Sequence, residues 1–564
     1  MDVNDDYWNI NDEGIGEGWL PLGDEEHPFA AIFEGRGHVI NNLYIDRSGK
    51  NYTGLFGYVT QSRISELGLG GPLMSINVGN SGYYTGALAG HVHKNTQIAD
   101  CFSQGEVSGV FYVGGLVGSI GSNNQVSNSY NTGAVQGSSY LGGLIGIVNS
   151  DNQVIDSHNT GRVAGQVSVG GLVGRVSYNN LISGSYNSGD IHASHNSTGG
   201  LVGSLENQNF IFESYNLGTV ISDSFYVGGL VGHADSNNQL IGVYNHGDVE
   251  GDSSVGGIAG KVDSNNQIIA GYNTGSIKGG IHASASTGGL VGFLKSENLI
   301  SNSFNSATVE GAYHIGGLIG SVDSSNQINT SFNIGLVSGN SNLGGLIGGF
   351  IYDGLNNVIE NSYWAIDSSG QSSSFLSSEE NGYIGLSLST LQCAVQANTN
   401  SYNSNCVSAN GAGEGLISAL TLYKDWELQE VWDFGTDQQL PGLILNNTAH
   451  RDSDGDGTLD GDDAFPLDSD NDGFDNIEDA FLFNISASVD TDVDGMPDSW
   501  NEACDEECQE DSGLQLDSFL NDTDNDGLDN VTDMDDDNDG VPDVDDPFPL
   551  DLNDSIDTDG DGVG

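Results

Sequence analysis

The chain has 564 residues, with 79 acidic against 12 basic side chains and a formal net charge of -67. That surplus excludes nucleic acid and anionic membrane as partners and makes cations the natural ones. No run of 18 apolar residues occurs, so no membrane insertion is expected of this portion, and the Met1 to Asp6 start lacks the basic and apolar regions of a signal peptide. A fragment or mature portion of a larger exported protein is the expectation.

From the N-terminus to about residue 370 one motif recurs, marked by Gly-Gly-Leu-Val-Gly. The second glycine of the pair stands at Gly115, Gly143, Gly171, Gly200, Gly229, Gly257, Gly289, Gly317 and Gly345, with degenerate copies at Gly54 and Gly86. From Gly115 to Gly345 the spacing is 28 or 29 residues except for one step of 32. A repeat of this length with three short β-branched pieces per copy, such as Leu116-Val117, Gln125-Val126 and Ala134-Val135, has the period of short strands and lacks the 3.6 spacing of helical repeats. The predicted fold is all-β: a parallel β-solenoid, right-handed as the commoner kind, of about eleven coils.

Stacked coils place equivalent residues about 4.8 Å apart, so side chains at fixed offsets form ladders along the axis. Asn124, Asn152, Asn180, Asn209, Asn238, Asn266, Asn298, Asn326 and Asn357 each precede a ring by six residues. Those rings are Tyr130, His158, Tyr186, Tyr215, Tyr244, Tyr272, Phe304, Phe332 and Tyr363, and all but the last are followed by Asn. Amide ladders and rings filling a core corner are expected, with glycines at bends that exclude a Cβ or require positive φ. Cys101 is expected to be a buried thiol.

Catalysis is not expected here. A β-helix lyase or hydrolase needs a base beside aspartates or a cluster of carboxylates, whereas Lys261, Lys278 and Lys295 read as isolated and Asp235, Asp263 and Asp323 as one solvated corner. No His-Glu-x-x-His, Gly-x-Ser-x-Gly or Walker sequence occurs. An ice-binding face would want a regular Thr-x-Thr array, and Thr132, Thr160 and Thr274 are too sparse for one.

The repeat resembles the GLUG motif of bacterial secreted and cell-surface proteins, including large adhesins, over roughly residues 7 to 370. The opening Phe33-Glu34-Gly35-Arg36-Gly37-His38-Val39-Ile40-Asn41-Asn42-Leu43-Tyr44-Ile45, followed by Tyr52-Thr53-Gly54-Leu55-Phe56-Gly57, is similar to that family's first coil. The resemblance implies a place outside the cell, on a Gram-negative bacterium, rather than a reaction.

Residues 371–450 break the repeat and bring Trp426, Trp432, Phe434 and Leu440-Pro441-Gly442-Leu443, as a segment covering the last open coil would. Cys393 and Cys406 lie here, 13 apart, and Cys504 and Cys508 lie 4 apart further on. Two close pairs in a secreted-looking chain predict two small disulfide loops rather than zinc sites, since no histidine accompanies them at zinc spacing.

Residues 451–564 carry 40 of the acids and one base, Arg451. Asp-x-Asp-x-Asp-Gly occurs at Asp452/Asp454/Asp456, Asp468/Asp470/Asp472, Asp490/Asp492/Asp494, Asp522/Asp524/Asp526, Asp535/Asp537/Asp539 and Asp557/Asp559/Asp561. Oxygen ligands two residues apart before a glycine suit a hard cation of high coordination number, and many flexible protein ligands favour several Ca2+ ions over magnesium. Asp460, Asp475, Asp498, Asp529 and Asp543 are further candidate ligands. Loop position 12 holds Asp463, Asp479, Asn501, Asp533 and Asp546, not the Glu of an EF-hand. The register and the Asp546 to Asp551 segment Asp-Pro-Phe-Pro-Leu-Asp, with a near copy from Ala464 to Asp468, resemble thrombospondin type 3 calcium repeats. That likeness implies a chain wrapped around a string of calcium ions, disordered without them.

The expectation is a non-enzymatic extracellular or cell-surface protein, a rigid solenoid rod with a calcium-stiffened tail. It serves either as a subunit that stacks on copies of itself into a filament, with exposed coil ends or calcium tails as joints, or as an adhesin stalk that presents a distal region to a cell or glycan surface.

Overall fold

A short strand buries its apolar side chains only if a neighbour covers it, and a 28-residue coil supplies that neighbour by returning to the same place one strand spacing further on. The computed structural model describes residues 16–350 except 80, 283 and 284, then 356–373 and 383–392. Between 423 and 550 it describes 423, 426, 431–433, 439–456, 458–463, 465–474, 479–481, 484–491, 496–501, 504–505, 508–509, 512–517, 530, 534–536, 541–544, 546–547 and 549–550. The chain divides into two compact units, Met1–Leu386 and Ser387–Gly564.

The first unit is a parallel β-solenoid of about 12 turns, close to the expected eleven. One turn runs Val117–Ser122, then Gln125–Ser127 with Tyr130–Asn131, then Val135–Gln136 with Ser139–Gly142, and Ile145–Ser150 opens the next. These pieces stack into an 11-stranded, a 23-stranded and a 19-stranded sheet. Register holds at one coil, with Val117 beside Ile145 and Val126 beside Val154. At about 4.8 Å per turn the unit is about 55 Å long.

The interior is filled by columns of aliphatic side chains. Leu116, Leu144, Leu172, Leu201, Leu230, Ile258, Leu290, Leu318 and Leu346 occupy one, each at most 1% exposed. Full burial of such a side chain contributes about 1.5–3 kcal/mol before chain entropy is subtracted. The paired glycines answer to close packing. A Cβ on Gly143 would stand 2.1 Å from the Gly171 carbonyl oxygen and 2.2 Å from Asn159 Cγ. The corners with positive φ belong largely to other residues: Asn123, Asp151, Asn179, Asn237 and Asn265 sit at φ 56 to 63°. Short polar side chains tolerate that region best after glycine.

Both expected Asn ladders form. From Asn124 to Asn326 each backbone N–H donates to the next coil's Oδ1 at 2.8–3.0 Å, and each Nδ2 donates to the same atom at 3.0–3.2 Å. The Asn131 to Asn333 ladder runs at 2.8–2.9 Å. The rings from Phe102 to Phe332 stack with centroids 4.6–5.1 Å apart and planes within 9°. They fill a core corner only at Tyr272, Phe304 and Phe332; from Phe102 to Tyr244 they are half-buried and run along an outer corner. Cys101 is a free, buried thiol whose S–H donates to the Ala99 carbonyl at 3.2 Å, and burial pushes its pKa up to about 11.

The N-terminal end is covered on two sheets. Trp19 N–H bonds Tyr44 O, Asp46 N–H bonds Glu17 O, and Leu22 and Phe29 bridge to Phe56 and Val59. Ile32–Asn41 forms the first strand of the third sheet, with an irregularity between Glu34 and His38. Toward the C-terminal end, Tyr383–Leu386 pairs with Ser362–Ala365, while Ser368 Oγ and Gln371 Nε2 donate to the Ile334 and Val337 carbonyls.

In the second unit Trp426 packs against Tyr423 and Trp432, with centroids 4.8 and 4.6 Å apart. Trp432–Asp433, Gly442–Leu445 and Thr448–His450 form an antiparallel sheet. Cys504 and Cys508 are disulfide-bonded, as expected. Cys393, Cys406 and Phe434 lie outside the described residues.

Candidate metal centre

Alternate aspartates ahead of a glycine make the chain turn toward its own carboxylates, because each carboxylate accepts a backbone N–H two to five residues on. Asp452 Oδ1 accepts from Gly455 N at 2.8 Å, Asp454 Oδ1 from Asp456 N at 3.2 Å, and Asp456 Oδ1 from Thr458 N at 2.6 Å. The next loop repeats the pattern: Asp468 Oδ2 accepts from Gly473 N at 2.8 Å, Asp470 Oδ1 from Asp472 N at 3.2 Å, and Asp472 Oδ1 from Phe474 N at 2.9 Å. The loops are joined by Asp468 N, which donates to Asp454 Oδ2 at 3.0 Å, and by Asn471 Nδ2, which donates to Asp456 Oδ2 at 2.7 Å.

The result is two triads, Asp452/Asp454/Asp456 and Asp468/Asp470/Asp472, each offering three carboxylate oxygens within 4.8 Å of one another. Asp452, Asp454 and Asp468 are each 1% exposed. Burial and the charges of Asp452 and Asp456 push Asp454 up to about 9. Burial, with Asp472 and Asp479, pushes Asp470 up to about 7. Burial, with Asp472 and Asp468, also raises Asp479 to about 6. Arg451, the only Lys or Arg after residue 450, is engaged with Asp433 at 2.7 Å. Oδ2 of Asp463 and of Asp470 are shielded from solvent without a hydrogen-bond partner. Crowded, desolvated carboxylates with orphan oxygens fit a hard divalent cation, which would supply the missing positive charge.

The remaining predicted ligands separate by role. Asp460 closes its loop: Oδ1 accepts from Ser453 N at 2.7 Å, Oδ2 from Ser453 Oγ at 2.8 Å, and its N–H donates to Arg451 O at 2.9 Å. Asp498 does the same around Thr491, with Oδ1 accepting from its N–H at 3.0 Å and its own N–H donating to Val489 O at 2.8 Å. Asp543 repeats it on Asp536 N at 2.8 Å and Met534 O at 3.1 Å. This brace, spanning seven residues, was not separable from the ligand set in sequence because both use aspartate. Asp490, Asp535 and Asp546 are described, and of these Asp546 is buried. Asp475, Asp492, Asp494, Asp522, Asp524, Asp526, Asp529, Asp533, Asp537, Asp539, Asp557, Asp559 and Asp561 lie outside the described residues.

A second cluster sits on the solenoid, where Lys261 and Lys295 are not isolated. Their ammonium groups lie 3.0 and 3.3 Å from Asp263 Oδ1, and His233 Nε2 lies 3.0 Å from Asp263 Oδ2 and 3.5 Å from Asp235. Burial alone raises the Asp263 pKa, but His233 and Lys261 outweigh it and hold the carboxyl well below the usual range. Lys261 also lies over the Tyr226 ring, 5.1 Å from its centroid. Residues 28 to 32 apart in sequence meet here because one coil lies on the next, which reading along the chain does not reveal. Lys278 has a looser contact, 4.0 Å from Glu250.

No known protein-family profile matches the chain, and neither the curated proteins nor the solved structures contain a match.

Proposed function

We propose that this chain is a structural rod of an exported bacterial surface, a rigid solenoid carrying an acidic segment that calcium folds. The observation that carries the calcium half is the pair of carboxylate triads, Asp452/Asp454/Asp456 and Asp468/Asp470/Asp472, with Asp452, Asp454 and Asp468 buried, in a segment whose one Lys or Arg, Arg451, is engaged by Asp433. The residues that would hold the ions are these six, with Asp463 and Asp479 facing them from loop position 12. Calcium there supplies charge neutralisation and cross-links the loops. Extracellular sites of this open kind bind at about 10⁻⁴ to 10⁻³ M, so the segment would fold outside the cell and not in a cytosol poor in calcium. The likeness to GLUG repeats and thrombospondin type 3 repeats supports the same placement, on the surface of a Gram-negative bacterium.

The reading assigns no catalytic step. Asp263, the most perturbed carboxylate of the solenoid, is engaged by two ammonium groups and an imidazole, which is a salt-bridge knot between coils.

Of the two uses of such a rod, the adhesin stalk is favoured over stacking through coil ends. The segment from Glu17 to Phe29 occupies the main-chain groups through which a second copy would extend two of the three sheets. Joints through the calcium segment remain compatible with a filament. The test is electron microscopy of native surface material with and without a chelator. Single rods attached at one end support the stalk; long regular fibres that persist in chelator contradict both the stalk and the calcium joint.

A further inference from the structure

We propose that the outer face of the 23-stranded sheet binds an extended, uncharged polysaccharide laid along the solenoid axis. A polar groove beside Gln97, Gln125 and Gln153 is its hydrogen-bonding half, and Phe210 and Phe212 are its stacking half. This goes beyond the calcium-dependent rod, because the face belongs to the solenoid and needs no ion.

Charge is the first ground. Nine successive strands of this sheet, from Gln97–Ala99 to Gln327–Asn329, contain no charged residue, in a chain of net charge -67. Polyanions are repelled by the molecule as a whole, and a polycation would seek the acidic segment rather than a neutral sheet. A second copy carries the same -67 and is disfavoured for the same reason.

Register is the second. Gln97, Gln125, Gln153, Leu181 and Phe210 stand side by side on successive coils. At about 4.8 Å per step the column spans about 20 Å, straight and periodic. At its N-terminal half lies a shallow groove of about 610 Å³, lined by these glutamines with Asn95, Asn123 and one charge of each sign, Arg63 and Asp151. Amides present donors and acceptors together, which matches hydroxyl groups that do both. Further along, Phe210 and Phe212 are 43% and 41% exposed, beside Leu181 and Ile241 on the same face. Single exposed apolar residues are ordinary, but adjacent rings on a flat neutral face form a platform for an apolar ring face. A linear polymer of sugar rings offers both surfaces at a regular repeat along one line.

The test uses the full chain in calcium, sedimented with amorphous cellulose, chitin or insoluble mannan, and with alginate gel as a polyanionic counter-probe. Retention on at least one of the three uncharged polymers is expected, with none on alginate and no change when calcium is chelated. Gln125→Glu with Gln153→Glu, and separately Phe210→Ala with Phe212→Ala, should each weaken retention at least about tenfold, with thermal melts confirming the fold. Should a double variant melt early, competition of the unmodified chain by soluble hexasaccharides of the retained polymer reads the same site. No retention on any of the three overturns the proposal, as does undiminished retention by folded variants. Sedimentation of a dimer that Phe210→Ala with Phe212→Ala dissolves also overturns it, by assigning the face to a second copy. Because the solenoid alone is read, failure here leaves the calcium assignment standing, and loss of calcium binding leaves this one standing.

Discussion

The solenoid and the acidic segment both repeat a short motif, yet they meet the demand to satisfy buried polar groups in opposite ways. In the solenoid each Asn is both donor and acceptor to its own kind one coil away, so Asn187, Asn216 and Asn245 close their hydrogen bonds within the chain. In the acidic segment carboxylates can only accept, and after the backbone N–H groups are used, oxygens on Asp463 and Asp470 have no donor left. An amide repeat therefore completes itself, whereas a carboxylate repeat leaves oxygens unpaired, which on the proposed reading a calcium ion takes up.

The largest effect should come from removing carboxylates in the acidic segment, which we propose to be calcium-dependent. With two loops of about 10⁻⁴ to 10⁻³ M affinity in about 10 mM calcium, binding stabilises the segment by about 3 to 5 kcal/mol. Asp454→Ala with Asp470→Ala should abolish that gain in calorimetry and leave the solenoid transition where it was. On the self-satisfied side, Asn216→Ala leaves Asn187 Nδ2 and Asn245 Oδ1 without their partner at a fully buried position. It should cost about 2 to 4 kcal/mol in urea unfolding, equally with and without calcium.

Acid offers a third way to separate the regions. His91 is held down to about 4 by burial and by His93. A base whose folded pKa lies below its unfolded value contributes stability that is intact above about 6.5 and is lost as pH falls toward 4. The solenoid of the unmodified chain should lose about 2 to 3 kcal/mol more between pH 7 and pH 4 than that of a His91→Gln variant. A parallel acid loss in both chains sinks the assignment to His91. The smallest effect belongs to the disulfide. Cys504 and Cys508 close a loop of sequence separation 4. Reduction should lower the stability of the acidic segment by about 2 kcal/mol and raise the calcium concentration needed to order it.

What was legible in sequence follows from the same contrast. A column that repeats one residue type, such as the Asn124 to Asn357 ladder, can be read off by its period. A column of mixed types cannot. Ser129, Ser157, Ser185 and Ser214 accept main-chain N–H groups at 3.1–3.2 Å in a third ladder, but Cys101, Val243 and Gly271 interrupt its pattern. The first Asn ladder likewise continues toward the N-terminus through Thr96 and Ser62, which a search for Asn passes over. Tyr52, Tyr84, Tyr112 and Tyr140 form a second ring stack over four coils only, ended by Arg175 at 5.3 Å. The cluster at Asp263 was invisible for a further reason, since its charges come from three coils and make sense only once register is known. In the acidic segment the Asp-x-Asp-x-Asp-Gly register located the triads, while the brace at Asp460, Asp498 and Asp543 needed coordinates.

The central claim is that calcium orders one region and not the other. Hydrogen exchange of the full chain, read peptide by peptide with and without chelator, tests it directly. The account predicts that chelation removes protection between Asp452 and Asp546 and leaves the amides from Val117 to Val322 as slow as before. Unchanged protection across Asp452 to Asp472, or equal loss in both regions, would contradict it.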